Sequence, residues 1–404
     1  MSDVPPSLRD ASSSPSGAPS NGPQGFDEGE LLAEAVQATG LSDFGSDDFR
    51  AGLHALAALP AANPMTEKGR KQHRQRLVQL LGTRLKIEEA FRRHPEIRER
   101  EIVRPMFLTG LPRSGTSALF NLLAADPAAR PLLLWEGIFP DPNWELGEPG
   151  EGPPAEDPRY RAMKTVSEQA REKNPDFTKA HFADADTPEE CVLLHAFALD
   201  GGQLGYELML EPYGSWFAGH DLRPLYRYYA DLLRLLDWQR PGERWLLKTP
   251  SHLWALDALV ETFPDCSIVW NHRDPAVCIP SISSMIHMIA RERVEISAEA
   301  FGPRVLAHYA DSMDRGLAAR DRLEAERFID VDYDALVKDS LGAVERIYRH
   351  FDLPFGPVRP ALEAWVAGHP KDRHGRHEYD LSTFGLTREG VRKRFATYVE
   401  RFGL

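Results

Sequence analysis

The chain has 404 residues, and its 61 acidic and 48 basic side chains give a formal net charge of -13. This balance argues against nucleic acid as the main partner, because nucleic-acid binding needs a broad basic surface. In an acidic protein, any anionic ligand must be bound by a local basic pocket. Hydrophobic residues make up 42%, which excludes wholesale disorder, and the three scattered cysteines exclude a disulfide framework or a closed zinc site. With no signal-peptide pattern and no apolar run of about 18 residues, we expect a soluble, cytoplasmic protein.

The first hundred residues divide into two parts by composition. Residues 1–25 contain seven Ser, five Pro, three Gly and no aromatic residue, and we interpret them as a disordered tail. In residues 26–100 apolar side chains such as Leu77, Leu81 and Leu85 recur at helical spacing. This spacing predicts an N-terminal helical region.

Residues 101–404 alternate short apolar runs with helical segments. The predicted strands are residues 102–109, 245–248, 266–272 and 328–331, and the predicted helices around them are residues 116–125, 253–263, 341–351 and 388–402. This alternation predicts an α/β fold whose central parallel sheet is covered by helices on both faces. Ligands of such sheets bind beyond the carboxyl ends of the strands.

A large insertion interrupts this alternation between about residues 141 and 239. Its first part is rich in Pro and Gly, and helices are predicted later, at residues 189–199 and 222–236. A segment this long at the carboxyl edge of a sheet is more typical of a lid or an acceptor-binding wall than of a linker.

The strongest local pattern is FLTGLPRSGTSALF, in which Gly110 and Gly115 have the spacing of a phosphate-binding loop between a strand and a helix. Backbone N–H groups and the positive end of the next helix favour an anion there. Thr116 stands where nucleoside triphosphatases carry a Lys, and Arg113 lies inside the loop. The residues predicted to bind the anion are Gly110, Pro112, Arg113, Ser114, Gly115, Thr116 and Ser117.

A second pattern, NHRDPAVCIPSISSM, places Arg273 directly after a predicted strand and Ser281 eight residues later. Asp274 and Pro275 are typical of a helix N-cap and first helical residue, so Ser281 lies two turns into a helix. Pro280 is expected to kink this helix. This placement suits Arg273 either to bind a second phosphate or to form a surface ion pair.

Together these segments resemble the sulfotransferases that use 3'-phosphoadenosine 5'-phosphosulfate (PAPS). PRSGTS is similar to their 5'-phosphosulfate loop, Arg273 and Ser281 to their 3'-phosphate site, and LLKTPSHLWALDALVETFPDCSIVWNHRDP and VDYDALVKDS to further family segments. The resemblance extends from about residue 103 to the C-terminus, with the insertion poorly matched. It implies a P-loop-like three-layer fold, PAPS as co-substrate and no metal, and the sequence contains no HExxH or CxxC motif.

The resemblance also implies catalytic roles. Lys248 matches a family Lys that contacts the transferring group, and Arg113 is a second cation for the same purpose. Glu136 lies where tyrosylprotein sulfotransferases have their proposed base, and it is the preferred base here. His252 is the rival base, although it follows Lys248 by four residues where many cytosolic sulfotransferases have two.

A basic segment near the C-terminus resembles the family loop that closes over the 3'-phosphate. The residues predicted to bind nucleotide there are Lys371, Arg373, His374 and Gly375. A solvated charged loop is the alternative interpretation. The acceptor stays open among a hydroxylated small molecule, a lipid and a carbohydrate, and so does the oligomeric state.

The sequence therefore predicts a PAPS-dependent sulfotransferase that acts on a hydroxyl or an amine and releases 3',5'-ADP. One alternative is a P-loop nucleoside triphosphate kinase, which the missing Lys after Gly115 disfavours. The other is a catalytically inactive nucleotide-binding protein on the same fold. That alternative is disfavoured by the joint presence of Arg113, Lys248, Arg273, Ser281 and Glu136.

Overall fold

A parallel sheet of five strands forms the centre of the part of the chain that the computed structural model describes, which is residues 24–142, 154–173, 183–201, 210–211, 213–369 and 380–404. The strands are β1 (Met106–Gly110), β2 (Ala129–Pro131), β3 (Arg244–Lys248), β4 (Ser267–His272) and β5 (Phe328–Asp332). The helices are α1 (Glu28–Thr39), α2 (Arg50–Ala62), α3 (Glu67–Arg93), α4 (Thr116–Leu123), α5 (Leu134–Ile138), α6 (Pro158–Lys173), α7 (Val192–His195), α8 (Tyr213–Gly219), α9 (Arg223–Gln239), α10 (Leu256–Thr262), α11 (Pro275–Ala290), α12 (Ala298–Arg320), α13 (Tyr333–Lys338), α14 (Ser340–His350), α15 (Phe355–Gly368), α16 (Arg388–Arg394) and α17 (Ala396–Phe402).

The strand order β2-β3-β1-β4-β5 places β1 between β3 and β4. Leu108 of β1 pairs with Lys248 of β3, and Gly110 of β1 pairs with Asn271 of β4. Because all pairings are parallel, the carboxyl ends of these three strands lie side by side. The segments that follow them are the glycine-rich loop, the turn after Lys248, and Arg273.

Alternating side chains of the central strand enter two different hydrophobic clusters. Phe107 packs in one cluster, whereas Met106 and Leu108 pack in the other, as the two-residue period of a strand requires. Helices α3, α9 and α12 contribute to the first cluster, and helices α4, α14 and α15 to the second. The predicted α/β fold with helices on both faces of a parallel sheet is confirmed.

The N-terminal helices share the first of these clusters. Leu53 of α2 and Leu80 of α3 are fully buried together with Leu233 of α9. Residues 1–23, which carry nearly all of the predicted disordered tail, lie outside the described residues, as do residues 143–153 of the insertion. The proposed division at residue 100 stays a prediction.

Several element boundaries differ from those predicted. The first strand begins at Met106, because Arg104 has a positive φ of 46° and Pro105 follows it. The segment 189–199 is helical only over Val192–His195 and a short turn that ends before Leu199, whose φ is 60°. Strand β2 was not predicted, because three residues with a Pro at the end carry no periodic signal.

Candidate active site

The turn between β1 and α4 is the glycine-rich loop. Its backbone has positive φ at three points, 139° at Gly110, 69° at Arg113 and 88° at Gly115. A Cβ atom at Gly110 would lie 2.4 Å from the carbonyl oxygen of Asn271, and one at Gly115 would lie 2.9 Å from the ring of Tyr333. Both positions therefore require glycine for space as well as for conformation.

The start of α4 offers hydrogen-bond donors to an anion. The helix begins at Thr116, and the N–H groups of its first turn have no acceptor within the helix. No side chain of the described residues caps this end through a hydrogen bond. These amides and the hydroxyls of Thr116 and Ser117 fit the phosphate end of a nucleotide.

The second predicted anion site lies directly against this loop. Arg113 donates from Nε to the Oγ atom of Ser281 at 3.2 Å, and Arg273 donates from Nη1 to the carbonyl oxygen of Arg113 at 2.8 Å. The guanidinium of Arg273 also stacks on the ring of Tyr333, 3.7 Å from its centroid. The structure thus brings Arg113 together with Arg273 and Ser281, which lie 160 and 168 residues further along the sequence.

The start of α11 fixes the position of Ser281. Asp274 caps the helix by accepting a hydrogen bond from the N–H of Ala276 at 2.9 Å, and Pro275 is its first residue, as predicted. The helix continues through Pro280 to Ala290. Ser281 therefore has a fixed place on the helix, facing Arg113.

Lys248 ends β3 beside the phosphate loop. Its side chain is only 3% exposed, and its Nζ atom donates to Ser117 Oγ at 3.2 Å and to Glu190 Oε1 at 2.6 Å. Thr249 donates its hydroxyl to the other oxygen of Glu190 at 3.2 Å. The predicted cation of the transfer step therefore contacts both the loop and a carboxylate.

Glu190 was not among the predicted site residues. It is held in place because the N–H of its neighbour Cys191 donates to the carbonyl oxygen of Lys248 at 3.0 Å, which docks the middle of the insertion on β3. Its side chain is 25% exposed. One sequence signal could have pointed to Glu190. A buried Lys248 ammonium requires an anionic partner, and the insertion carries the adjacent pair Glu189 and Glu190.

Glu136, the predicted base, has a different environment. Its side chain is 2% exposed and accepts hydrogen bonds from Arg130 at 2.7 and 2.8 Å, from Arg240 at 2.9 and 3.0 Å, and from the N–H of Leu133 at 3.1 Å. Burial by itself raises its pKa, but the two arginines outweigh burial and leave the pKa below its usual value. These contacts favour a structural role that joins α5 to the end of α9, and the catalytic role stays a prediction.

His252, the rival base, lies in the core beneath the sheet. It is fully buried, its Nδ1 atom lies 2.9 Å from the hydroxyl of Tyr226, and its ring packs edge-on against Phe107 with centroids 5.1 Å apart. Burial, assisted by nearby His195, lowers its pKa well below the usual value. A neutral imidazole in these surroundings is typical of a packed core residue.

Three further predictions concern the basic loop near the C-terminus, metal sites and membrane-spanning helices. The predicted basic loop with Lys371, Arg373, His374 and Gly375 falls in residues 370–379, which are not described. In the ranges that are described, no group of three or more His, Cys, Asp or Glu side chains could hold a metal ion. None of the helices in those ranges combines the length and the apolar character needed to cross a membrane.

The chain is similar to known sulfotransferases. A model of the sulfotransferase family matches residues 105–357. The solved sulfotransferase STF1 from Mycobacterium tuberculosis H37Rv is 34% identical with a TM-score of 0.81, and the match covers 92% of this chain and 99% of STF1. Sulfotransferase STF9 from Mycobacterium avium is 28% identical with a TM-score of 0.84, covering 96% and 99%.

A curated relative matches a smaller part of the chain. The omega-hydroxy-beta-dihydromenaquinone-9 sulfotransferase Stf3 of Mycobacterium bovis is 25% identical over 164 residues, which is 39% of this chain and 40% of Stf3. The match thus spans less than half the length of that relative.

Proposed function

Because the chain belongs to the sulfotransferase family, we propose that it transfers the sulfuryl group of PAPS to a hydroxyl or an amine and releases 3',5'-ADP. The observation that carries this proposal is the contact of Lys248 with Ser117 at 3.2 Å, which puts a buried cation at the mouth of the phosphate loop. Family membership and the absence of a Lys after Gly115 both disfavour a nucleoside triphosphate kinase.

Two groups of residues would bind the two phosphate ends of the nucleotide. The loop from Gly110 to Gly115 and the first turn of α4 would hold the 5'-phosphosulfate through backbone N–H groups. Arg273 and Ser281 would hold the 3'-phosphate through charge-assisted hydrogen bonds. Arg113 lies between the two groups, because its side chain contacts Ser281 while its backbone belongs to the loop.

The chemical step is an in-line displacement at sulfur. The acceptor oxygen forms a bond to sulfur, the bond from sulfur to the bridging phosphate oxygen breaks, and the acceptor proton passes to a carboxylate. Negative charge grows on the bridging oxygen during this step, and Lys248 places a cation where that charge develops. Positioning by the loop contributes the remaining acceleration.

For the base, the contacts favour Glu190 over the two residues predicted from the sequence. Glu190 is 25% exposed and lies 2.6 Å from Lys248, whereas Glu136 is enclosed by two arginines and His252 is fully buried. A base must reach the acceptor, and a carboxylate next to the transfer cation has that access. Glu136 is the second candidate, and the variants Glu190→Gln and Glu136→Gln separate the two.

For the acceptor, the similarity to Stf3 supports an apolar molecule that carries a hydroxyl. Stf3 is named for a hydroxylated dihydromenaquinone as its substrate. Hydroxylated lipids are therefore the first class to screen, followed by aromatic small molecules and carbohydrates.

Two measurements test this function. Calorimetry should show binding of 3',5'-ADP in the absence of magnesium and no comparable binding of ATP with magnesium. An acceptor screen with radiolabelled PAPS should then yield a labelled product. Binding of ATP without binding of 3',5'-ADP would contradict the proposal, and 3',5'-ADP binding without transfer to any screened class would favour the inactive nucleotide-binding alternative.

A further inference from the structure

The two C-terminal helices, α16 and α17, pack against the residue predicted to bind the 3'-phosphate. The N–H of Arg273 donates to the hydroxyl oxygen of Tyr398 at 3.3 Å, and Tyr398 is only 1% exposed. Phe402, one turn later, stacks on His272 with ring centroids 3.7 Å apart and an interplanar angle of 19°. The backbone at the end of β4 is thus held by two aromatic side chains of α17.

The hydrogen bonds around Tyr398 have a single consistent direction. His272 donates from Nε2 to Asp330 at 2.7 Å, because a carboxylate can only accept, and Arg320 donates to the same carboxylate. Burial lowers the pKa of His272, so its ring is neutral and its Nδ1 atom accepts from the hydroxyl of Tyr398 at 3.3 Å. The Tyr398 oxygen is then left to accept from the N–H of Arg273. Each group in this series of linked hydrogen bonds therefore has a partner.

The same C-terminal segment is also tied to the next residue of the site. Asp274, which caps α11 with one carboxylate oxygen, accepts a hydrogen bond from Arg388 on its other oxygen, and that oxygen also forms an ion pair with Arg392 at 2.8 Å. Arg273 is therefore anchored to α17, and Asp274 is anchored to α16. On its other side the Arg273 guanidinium is fixed by the ring of Tyr333.

From these contacts we propose that Tyr398 is a positioning residue for the 3'-phosphate, acting through the main chain of Arg273, with Phe402 supporting it through His272. This inference rests on the proposed function, because it takes Arg273 as the ligand of the 3'-phosphate. It adds that α17 sets how strongly the site distinguishes a nucleotide with a 3'-phosphate from one without it.

The test compares two nucleotides that differ only in the 3'-phosphate. For the wild type and for Tyr398→Phe, calorimetry measures the Kd of 3',5'-ADP and, by competition, the Kd of 5'-AMP. Loss of one hydrogen bond that positions the arginine should weaken 3',5'-ADP about fivefold to tenfold and leave 5'-AMP within about twofold. Phe402→Leu changes no charge and no hydrogen-bonding group, and it should shift the ratio of the Kd of 3',5'-ADP to the Kd of 5'-AMP in the same direction. This variant replaces Tyr398→Phe in the test if Tyr398→Phe does not fold.

A matched control separates positioning from general loss of stability. Tyr348 is also 1% exposed and donates its hydroxyl to Asp126 at 2.6 Å, on the opposite face of the sheet. Tyr348→Phe should lower the melting temperature and leave the ratio of the two Kd values unchanged. The inference is overturned if Tyr398→Phe and Phe402→Leu keep the wild-type ratio. A wild-type protein that does not distinguish the two nucleotides would instead overturn the 3'-phosphate site itself.

Discussion

The Nζ atom of Lys248 lies 2.6 Å from the carboxylate of Glu190, and this pair joins the end of β3 to the middle of the insertion. An ammonium group with 3% of its side chain exposed is costly without a partner, so the carboxylate stabilises the position of the lysine. Ser117 adds a contact from the phosphate loop at 3.2 Å. The geometry therefore couples a cation, a carboxylate and the phosphate loop in one place.

Removing the charge of Lys248 should affect turnover much more than nucleotide binding. Lys248→Met keeps most of the stem and deletes the ammonium, and because the cation stabilises charge that develops only during transfer, turnover should fall by about 100-fold or more. The affinity for 3',5'-ADP, which lacks the sulfuryl group, should change by less than about tenfold. Single-turnover assays and calorimetry on the same preparation provide both values.

The exposed Lys68, paired with Glu292 on the surface, gives the matched control. Lys68→Met should leave both turnover and binding unchanged. Near-normal turnover in Lys248→Met would assign the catalytic cation to Arg113 instead. A collapse of 3',5'-ADP affinity would mean that Lys248 binds phosphate generally and has no specific role in transfer.

The two candidate bases should respond differently to amide substitution. Glu190→Gln keeps the shape of the side chain but cannot take the acceptor proton, so turnover should fall by about 100-fold with 3',5'-ADP binding retained. Glu136→Gln leaves Arg130 and Arg240 without their anion, and removal of one partner from a buried pair costs about 3–5 kcal/mol. Its main effect should therefore be on the free energy of unfolding.

Denaturant titration and steady-state assays on both variants distinguish these outcomes. Glu261→Gln, which alters an exposed carboxylate that pairs with Arg223, should change neither quantity. A stable Glu136→Gln protein with about 100-fold lower turnover would restore Glu136 as the base.

Arg273→Ala tests the second phosphate site. Loss of a charge-assisted contact to phosphate should weaken 3',5'-ADP by about 1.5–3 kcal/mol, which corresponds to roughly 10-fold to 150-fold in Kd. Affinity for 5'-AMP should change much less. Arg322→Ala, which removes an exposed arginine paired with Asp257, is the control for a lost surface charge. Unchanged 3',5'-ADP affinity in folded Arg273→Ala would remove this residue from the site.

Local sequence patterns predicted the parts of the site that depend on backbone conformation. Gly110 and Gly115 mark a loop that needs positive φ, and the Asp-Pro pair at residues 274 and 275 marks a helix start, so both were readable without the fold. The parallel topology then followed from short buried strands. These features are local, and the sequence determines them directly.

Features that depend on long-range contacts were not readable in the same way. Glu136 follows an apolar run, but its surroundings are set by Arg240, which lies 104 residues away. Glu190 reaches Lys248 only because the insertion folds back onto β3, through the hydrogen bond between Cys191 and Lys248. No local sequence pattern predicts that contact. Charge partners of buried groups are therefore the least predictable part of the site.

Buried neutral histidines should make the protein less stable as the pH falls. Burial lowers the pKa of His195 to about 3, and it lowers the pKa of neighbouring His252 well below 6.5. The unfolded chain protonates both near 6.5 and the folded protein does not, so their stabilisation is complete above pH 6.5 and is lost progressively below it. For His195 this should reduce the free energy of unfolding by about 2 kcal/mol between pH 7 and pH 5, and His252 should act in the same direction.

His195→Phe isolates one of these groups. The His195 ring packs edge-on against Tyr229 with centroids 4.8 Å apart, and Phe can keep that aromatic contact without a titratable nitrogen. Urea titrations at pH 7 and pH 5 should show that the loss of stability on acidification is about 2 kcal/mol smaller in the variant than in the wild type. His54→Gln, at a site where 77% of the side chain is exposed, should leave that loss close to the wild-type value. The same pH dependence in His195→Phe as in the wild type would mean that His195 takes up a proton between pH 7 and pH 5 in the folded protein as it does in the unfolded chain, which its packing among Tyr226, Tyr229 and His252 opposes.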